Sequence, residues 1–452
     1  MFWSTGITKE NDLRMALFVL VILSAMLLPS ISLHPALPNI RLEEMFLFAA
    51  FALNLLAVAG RRLKTGNQGA QETFSLRRPG RAVNVVFVLL VASYTVSNLY
   101  GVFFKDGTYA LRDVMELITY FKYFLIITLA ISLEIKNEES AYINRAVVFG
   151  VLILTVFAWG QHFNLLQINT WLSPYFNQAH WDTLIYGNPA RALGSFDNPN
   201  VFGTFTVIIL SFLVVRYYFA DHNGKFPVLL FALIGVVIRL EYLTISRTAL
   251  FGIAVVFSLA SGWALFHHHY DRKTVLKVLA LLLLTLVLII STSDAFLNRV
   301  YEGMDFSNST SFQGHVARWE TAAHTIWASP VLGWGTEKTT MTTLVDNEYA
   351  LYTRRYGFVG LACYLWFFLQ PLLISLQRLR QNSRSAQLFR NSGKQKSPVL
   401  FDRKTLWAAS YVVLLPAVLI YNFMAGIFYN LQLMTILAAV MGLAYHGARE
   451  EQ

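Results

Sequence analysis

Arginines placed beside long apolar segments are the residues that point most directly to chemistry. Arg247 lies in Thr-Ile-Ser-Arg-Thr-Ala-Leu, between two apolar segments that leave no room for a loop. A guanidinium inside a membrane is costly unless it is paired or reaches water, so Arg247 is a candidate functional residue. The structural alternative is that Arg247 extends to lipid headgroups or pairs with Glu241.

A second group is the turn that runs from Arg191 to Asn200, Arg-Ala-Leu-Gly-Ser-Phe-Asp-Asn-Pro-Asn, directly before an apolar segment. The free N–H groups and the dipole of a helix N-terminus favour negative charge, so Arg191 and Asn200 are candidate anion ligands. Ordinary capping of the helix by Asn198 or Asn200 is the alternative.

The third group lies in a longer polar stretch, which contains Arg-Trp-Glu, Pro-Val-Leu-Gly-Trp-Gly, Asp-Asn-Glu-Tyr and Arg-Arg. Its order predicts an amphipathic helix, a turn, and a polar segment leading into the next apolar run. Arg318, Arg354 and Arg355 would bring three permanently charged forks to a surface, where they bind either a diphosphate or lipid headgroups.

Carboxylates in the same stretch are candidates for proton transfer. Asp346 is the first candidate for a general base that accepts a proton from a substrate, and Glu348 is the second. Tyr349 follows directly and is a candidate substrate ligand.

The elements that must position these residues are membrane-spanning helices. Hydrophobic residues make up 56% of the 452 positions and charged residues 14%, which favours a membrane protein over a soluble domain. A span needs about 20 apolar residues, and twelve segments qualify: 13–33, 43–60, 82–100, 114–134, 146–166, 200–220, 226–244, 248–266, 275–292, 356–377, 405–424 and 427–446. The sequence predicts an all-α polytopic protein.

The connectors fix the predicted orientation. The formal net charge of +10 comes from Lys and Arg clustered in short connectors around 61–81 and 378–404, which indicates cytoplasmic loops and not a nucleic-acid surface. Both termini are then cytoplasmic, and two long segments, 167–199 and 293–355, lie outside. The predicted organisation is nine helices in 1–292, a large periplasmic loop at 293–355 with short helices, and three helices in 356–452.

These motifs, in this order along twelve predicted helices, resemble the superfamily of O-antigen ligases and Wzy-type O-antigen polymerases over roughly residues 80–445. The resemblance implies a GT-C-like, inverting glycosyltransferase of the bacterial inner membrane that needs neither metal nor cofactor. Its substrates would be undecaprenyl-diphosphate-linked glycan donors and acceptors at the periplasmic face, among membrane lipids, with a chain-length regulator as a further partner. Arg247 and Arg318 match essential arginines of the family.

One position separates the two branches of this superfamily. In ligases the segment before the next periplasmic helix usually presents His-Asn or His-Ser, whereas this chain has Asp346-Asn347. The departure favours a polymerase that joins lipid-linked repeat units over a ligase that transfers glycan to lipid A-core. The alternative from another class is a polysaccharide transporter or flippase, for which many spans with scattered charges are also natural.

Overall fold

The fold is described from a computed structural model of the chain. It describes residues 6–29, 41–65, 78–133, 135, 137–176, 178–187, 190–220, 226–267, 271–290, 297, 301, 310–338, 345–391 and 401–446. Within these ranges the regular elements are all helical, and we number the α-helices. The prediction of an all-α protein is confirmed for the described part of the chain.

Fifteen α-helices are numbered in chain order. They are α1 (Gly6–Leu27), α2 (Leu42–Thr65), α3 (Arg78–Phe104), α4 (Leu111–Ser132), α5 (Asn137–His162), α6 (Ile168–Leu172), α7 (Gln178–Ile185), α8 (Pro199–Phe219), α9 (Phe226–Thr244), α10 (Arg247–His267), α11 (Arg272–Ile290), α12 (Thr310–Ala328), α13 (Glu348–Asn391), α14 (Arg403–Tyr421) and α15 (Leu431–His446). Each of the twelve predicted spans overlaps one of the longer helices.

Eight helices among the described residues are long and apolar enough to cross a membrane: those at Gly80–Phe104, Leu111–Ser132, Ala141–His162, Pro199–Phe219, Pro227–Thr244, Arg247–His267, Glu348–Ser383 and Lys404–Tyr421. Leu431–Tyr445 is a shorter apolar helix. A polytopic membrane protein is therefore supported.

Helix α8 forms the centre of the bundle. Nearly all of its side chains are buried, including Phe202, Phe205 and Leu210, because α9, α10 and α14 pack around it. A helix that is apolar on all sides is buried by other helices or by lipid, and here the neighbours are protein. The second packed group joins α15 to α4 and α13 to α3.

The polar segments gather at one end of this bundle, which we call the site end. It contains the end of α3, the start of α4, the turn before α8 and the connector between α14 and α15. Helix α13 begins there at Glu348, earlier than the predicted start at 356, and is interrupted at Gly357, where φ is 65° and ψ is −172°. Its other end extends to Asn391, so part of the connector predicted at 378–404 is helical.

Candidate active site

Arg318 and Asp346 meet at the site end although 28 positions of sequence separate them. The Arg318 Nη1 atom forms an ion pair with the Asp346 Oδ2 atom, and its Nε–H donates to the Gly314 carbonyl at 3.0 Å. The His315 Nδ1 atom lies 3.0 Å from the same carboxylate oxygen. A guanidinium and an imidazole therefore both contact the same carboxylate.

Helix geometry explains why these side chains meet. His315, Arg318 and Ala322 are spaced by three or four residues on α12, so they share a face. Ala322 is 1% exposed, which shows that this face is turned towards the protein, and α12 packs on α13. Asn347 caps the N-terminus of α13, because its side chain accepts the Ala350 N–H at 3.0 Å. Asp346 therefore lies just outside the helix, directly before the cap.

The three side chains stay accessible to a substrate. The side chain of Arg318 is 38% exposed, that of Asp346 27% and that of His315 22%. A guanidinium carries five N–H donors, and the contacts with described residues use two of them. Arg318 can therefore hold Asp346 and bind phosphate oxygens at the same time.

Arg354 is buried and Arg355 is largely buried, so the prediction that they bring exposed charges to a surface is wrong. Arg354 is 5% exposed, and the Arg355 Nη1 atom lies 3.2 Å from the Glu116 Oε2 atom. For Arg355 the reason is Glu116, a buried carboxylate on α4 that sequence reasoning did not single out. The role of both arginines in diphosphate binding stays a prediction.

Glu116 is the centre of a buried polar cluster at the site end. Its Oε2 atom also lies 3.0 Å from Lys338 Nζ, and its Oε1 atom accepts hydrogen bonds from three tyrosines, Tyr120, Tyr356 and Tyr429. These donors come from α4, the segment before Asp346, α13 and the connector before α15. One carboxylate thus joins the four segments that surround the candidate site.

Glu348 and Tyr349 turn into the bundle. Glu348 is fully buried, and its Oε2 atom accepts the Phe428 N–H at 3.4 Å. The Tyr349 hydroxyl donates to the Leu419 carbonyl at 2.6 Å. Glu348 thus ties the start of α13 to the connector between α14 and α15, and Tyr349 ties it to the end of α14. Their predicted contacts with substrate stay predictions.

Arg191 and Asn200, both predicted as anion ligands, contact each other. Arg191 Nη2 donates to Asn200 Oδ1 at 2.7 Å, and its Nε donates to the Thr244 carbonyl at 2.9 Å. The cap of α8 is Asn198, whose side chain accepts the Asn200 N–H at 2.8 Å. Capping, the structural alternative for this turn, is thus observed, while anion binding stays a prediction.

Arg247 is the first residue of α10 and is partly exposed. It follows a sharp turn at the site end, in which Ile245 has a φ of 50° and Ser246 Oγ accepts the Ala249 N–H at 3.4 Å. The nearby Glu241 carboxylate is buried and accepts hydrogen bonds from Thr206 and Thr244. That Arg247 shares a diphosphate site with Arg318 stays a prediction.

The Pro-Val-Leu-Gly-Trp-Gly motif has a structural explanation. It crosses the backbone of α13 near Gly357: Phe358 N–H donates to the Pro330 carbonyl at 2.8 Å, and Gly335 N–H to the Arg355 carbonyl at 2.8 Å. A Cβ atom at Gly333 would lie 2.3 Å from the Arg355 carbonyl oxygen, and one at Gly357 would lie 2.0 Å from the Val331 carbonyl oxygen. Glycine is needed where two backbones approach so closely.

This crossing sets the position of α12. Trp334 Nε1–H donates to the Thr325 carbonyl at 2.8 Å, and Lys105 Nζ donates to the Ala328 carbonyl at 3.2 Å. Lys105 Nζ also lies 5.0 Å from the centre of the Trp334 ring. The end of α3 and the glycine motif thus hold the last turn of the helix that carries His315 and Arg318.

Comparison with known proteins agrees with the resemblance of the motifs. No curated protein matches the chain. Residues 228–365 match the sequence model of the Wzy_C family, described as O-Antigen ligase, and this range contains Arg247, Arg318 and Asp346. The match points to an O-antigen ligase or polymerase type of enzyme. The predicted resemblance to the O-antigen ligase and polymerase superfamily is confirmed for residues 228–365, which carry the domain of the O-antigen ligase family.

Proposed function

We propose that the protein is an inverting glycosyltransferase that polymerises undecaprenyl-diphosphate-linked repeat units at the periplasmic face of the bacterial inner membrane. In this proposal the chain has twelve spans in a GT-C-like arrangement with both termini in the cytoplasm. The observation that carries it is the contact of Arg318 with Asp346. It places a permanent cation and a carboxylate, both partly exposed, within the family domain.

The geometry suits the chemistry of a lipid diphosphate. Breaking the bond between the anomeric carbon and the diphosphate builds negative charge on the leaving oxygens, and fixed donors stabilise such charge. Arg318 can bind two phosphate oxygens with its planar fork, so it supplies charge that a metal ion supplies elsewhere. Asp346 beside it is available to assist removal of the acceptor proton.

The choice of polymerase rests on Asp346, because the resemblance gives ligases a histidine there. The ligase is the second candidate, and the contact of His315 with Asp346 favours it, since an imidazole reaches the same place from α12. A ligase would transfer the glycan once to lipid A-core. A polymerase would use another lipid-linked repeat unit as the acceptor, with a chain-length regulator as a further partner.

Purified protein in detergent separates these activities. It is given a lipid-diphosphate-linked repeat unit alone, or the same donor with lipid A-core, and the products are resolved by size. The proposal predicts a ladder of longer lipid-linked chains with the donor alone. A single product that forms only with lipid A-core would identify a ligase. A transporter would give no elongation in either mixture.

A further inference from the structure

We propose that Glu241 is a positioning residue, which fixes the Arg191 guanidinium where it binds the diphosphate group of the substrate. The inference rests on the proposed function, and it assigns a role to a buried carboxylate that the proposed mechanism does not use. Glu241 is 3% exposed and lies near the end of α9, at the site end. A buried carboxylate is costly unless other polar groups bond to it, so its contacts show what it supports.

Both oxygens of the Glu241 carboxylate accept hydrogen bonds from buried threonines. Thr206 Oγ1 on α8 donates to Oε2 at 2.8 Å, and Thr244 Oγ1 at the end of α9 donates to Oε1 at 3.1 Å. The fit is close, because a Cβ atom added at Gly203 of α8 would lie 2.9 Å from Oε2. One carboxylate therefore joins α8 to the last residue of α9.

Thr244 connects this carboxylate to Arg191. The Thr244 carbonyl accepts the Arg191 Nε–H at 2.9 Å, and the Ala192 N–H donates to the preceding carbonyl, that of Leu243, at 2.8 Å. The Glu241 contact holds the Thr244 side chain, while the Arg191 contact uses the carbonyl of the same residue. Whatever fixes Thr244 therefore also fixes Arg191.

The Arg191 guanidinium is held on two sides. Besides the bond to Thr244, its Nη2 atom donates to Asn200 Oδ1 at 2.7 Å, in the first turn of α8. Arg247 begins α10 three residues after Thr244, so two predicted anion ligands border the same turn. A guanidinium whose direction is already fixed binds phosphate oxygens best, because no ordering is needed at the moment of binding.

Binding of undecaprenyl diphosphate to purified protein in detergent tests the inference without relying on turnover. Glu241→Asp keeps the charge but is one methylene shorter, so it cannot reach both threonines. We expect it to weaken binding by at least about 10-fold, the effect of losing one hydrogen bond to a charged group. Glu241→Gln keeps the length and can bond both threonines, so its affinity should stay within about threefold of the wild type. Glu320→Asp, exposed on α12, is the matched control and should bind like the wild type.

Two further measurements separate positioning from a purely structural role. Undecaprenol has the same chain without the phosphates, so Glu241→Asp and the wild type should bind it equally well. In an Arg191→Lys protein the fork is already lost, so adding Glu241→Asp should weaken diphosphate binding by less than about twofold. A residue that only stabilises the fold would change the affinity for both lipids, and its effect would not depend on Arg191.

Three results would overturn the inference: a Glu241→Asp protein that binds undecaprenyl diphosphate like the wild type, equal losses for both lipids, or losses that multiply in the double variant. A wild-type protein that does not prefer undecaprenyl diphosphate over undecaprenol would overturn it as well. The proposed function fails by a different result. A wild-type protein that binds the diphosphate but elongates nothing would refute the polymerase and leave the role of Glu241 in binding intact.

Discussion

The Glu116 carboxylate lies 3.2 Å from the Arg355 guanidinium, although 239 positions separate the two residues in sequence. Glu116 is fully buried, and Lys338 lies 3.0 Å from the same oxygen. Two cations from different segments therefore depend on one negative charge. This arrangement makes the site end of the bundle a single packed unit.

Removing the negative charge of Glu116 should lower the stability of the site end. In Glu116→Gln two partly buried cations, Lys338 and Arg355, lose their counter-ion, and breaking a buried ion pair costs about 3–5 kcal/mol. We expect a lower temperature of thermal unfolding in detergent, measured by tryptophan fluorescence. Glu320→Gln, at an exposed position of α12, is the control and should unfold like the wild type. Equal unfolding temperatures for both variants would show that the cluster does not stabilise the fold.

The backbone crossing at Gly357 gives a second prediction. Gly357→Ala forces a side chain into a backbone conformation reserved for glycine, which costs about 1–3 kcal/mol, and the new Cβ atom would lie 2.0 Å from the Val331 carbonyl oxygen. We expect lower yield of folded protein and a lower unfolding temperature. Gly262→Ala is the control, because no neighbouring atom lies within 4 Å of its added Cβ atom. A harmless Gly357→Ala would contradict the explanation of the motif.

The loop before α8 should respond to pH through His180. Burial lowers the pKa of His180, Asp197 raises it and Arg191 lowers it, with a net decrease. The Nε2 atom lies 3.1 Å from Asn198 Nδ2. Because the folded pKa is below the ordinary value of about 6.5, the opened loop takes up the proton first as the pH falls. The stabilisation is therefore present above about pH 6.5 and lost below it.

Hydrogen exchange measures this effect. The Ala192 N–H donates to the Leu243 carbonyl at 2.8 Å, so its protection reports closure of the loop. We expect less protection at about pH 5 than at about pH 7.5 after correction for intrinsic exchange, and His180→Gln should remove the difference. Protection that does not change between the two pH values in the wild type would refute the role of His180.

The helices were predictable because apolar length alone marks a span, and each predicted span overlaps an observed helix. The sequence also singled out Arg318, as a permanent charge in a predicted outer segment, and Asp346, from its position in the resemblance to the superfamily. It could not show that they touch, because their contact depends on how α12 lies against α13. His315 carried a usable signal, its spacing of three residues from Arg318.

Glu116 and Arg355 show the limit of sequence reasoning more clearly. Glu116 lies inside a segment read only as the span 114–134, and its partners come from four parts of the chain. Nothing local distinguishes a buried, paired carboxylate from an exposed one. The same limit made Arg354 and Arg355 look like surface residues, because the counter-ion that draws Arg355 inward is remote in sequence.

The rate of glycan transfer by the Arg318→Lys variant is the measurement that tests the central claim most directly. Lysine keeps the charge but loses the planar fork, and loss of one such donor lowers turnover by about 10²- to 10³-fold. Purified Arg318→Lys should therefore elongate a lipid-diphosphate-linked repeat unit at least about 100-fold more slowly than the wild type, and its unfolding temperature should not change. The control is Arg112→Lys, at an exposed position of α4, which should keep the wild-type rate. Chain ladders from Arg318→Lys that equal those of the wild type would contradict the assignment of this site.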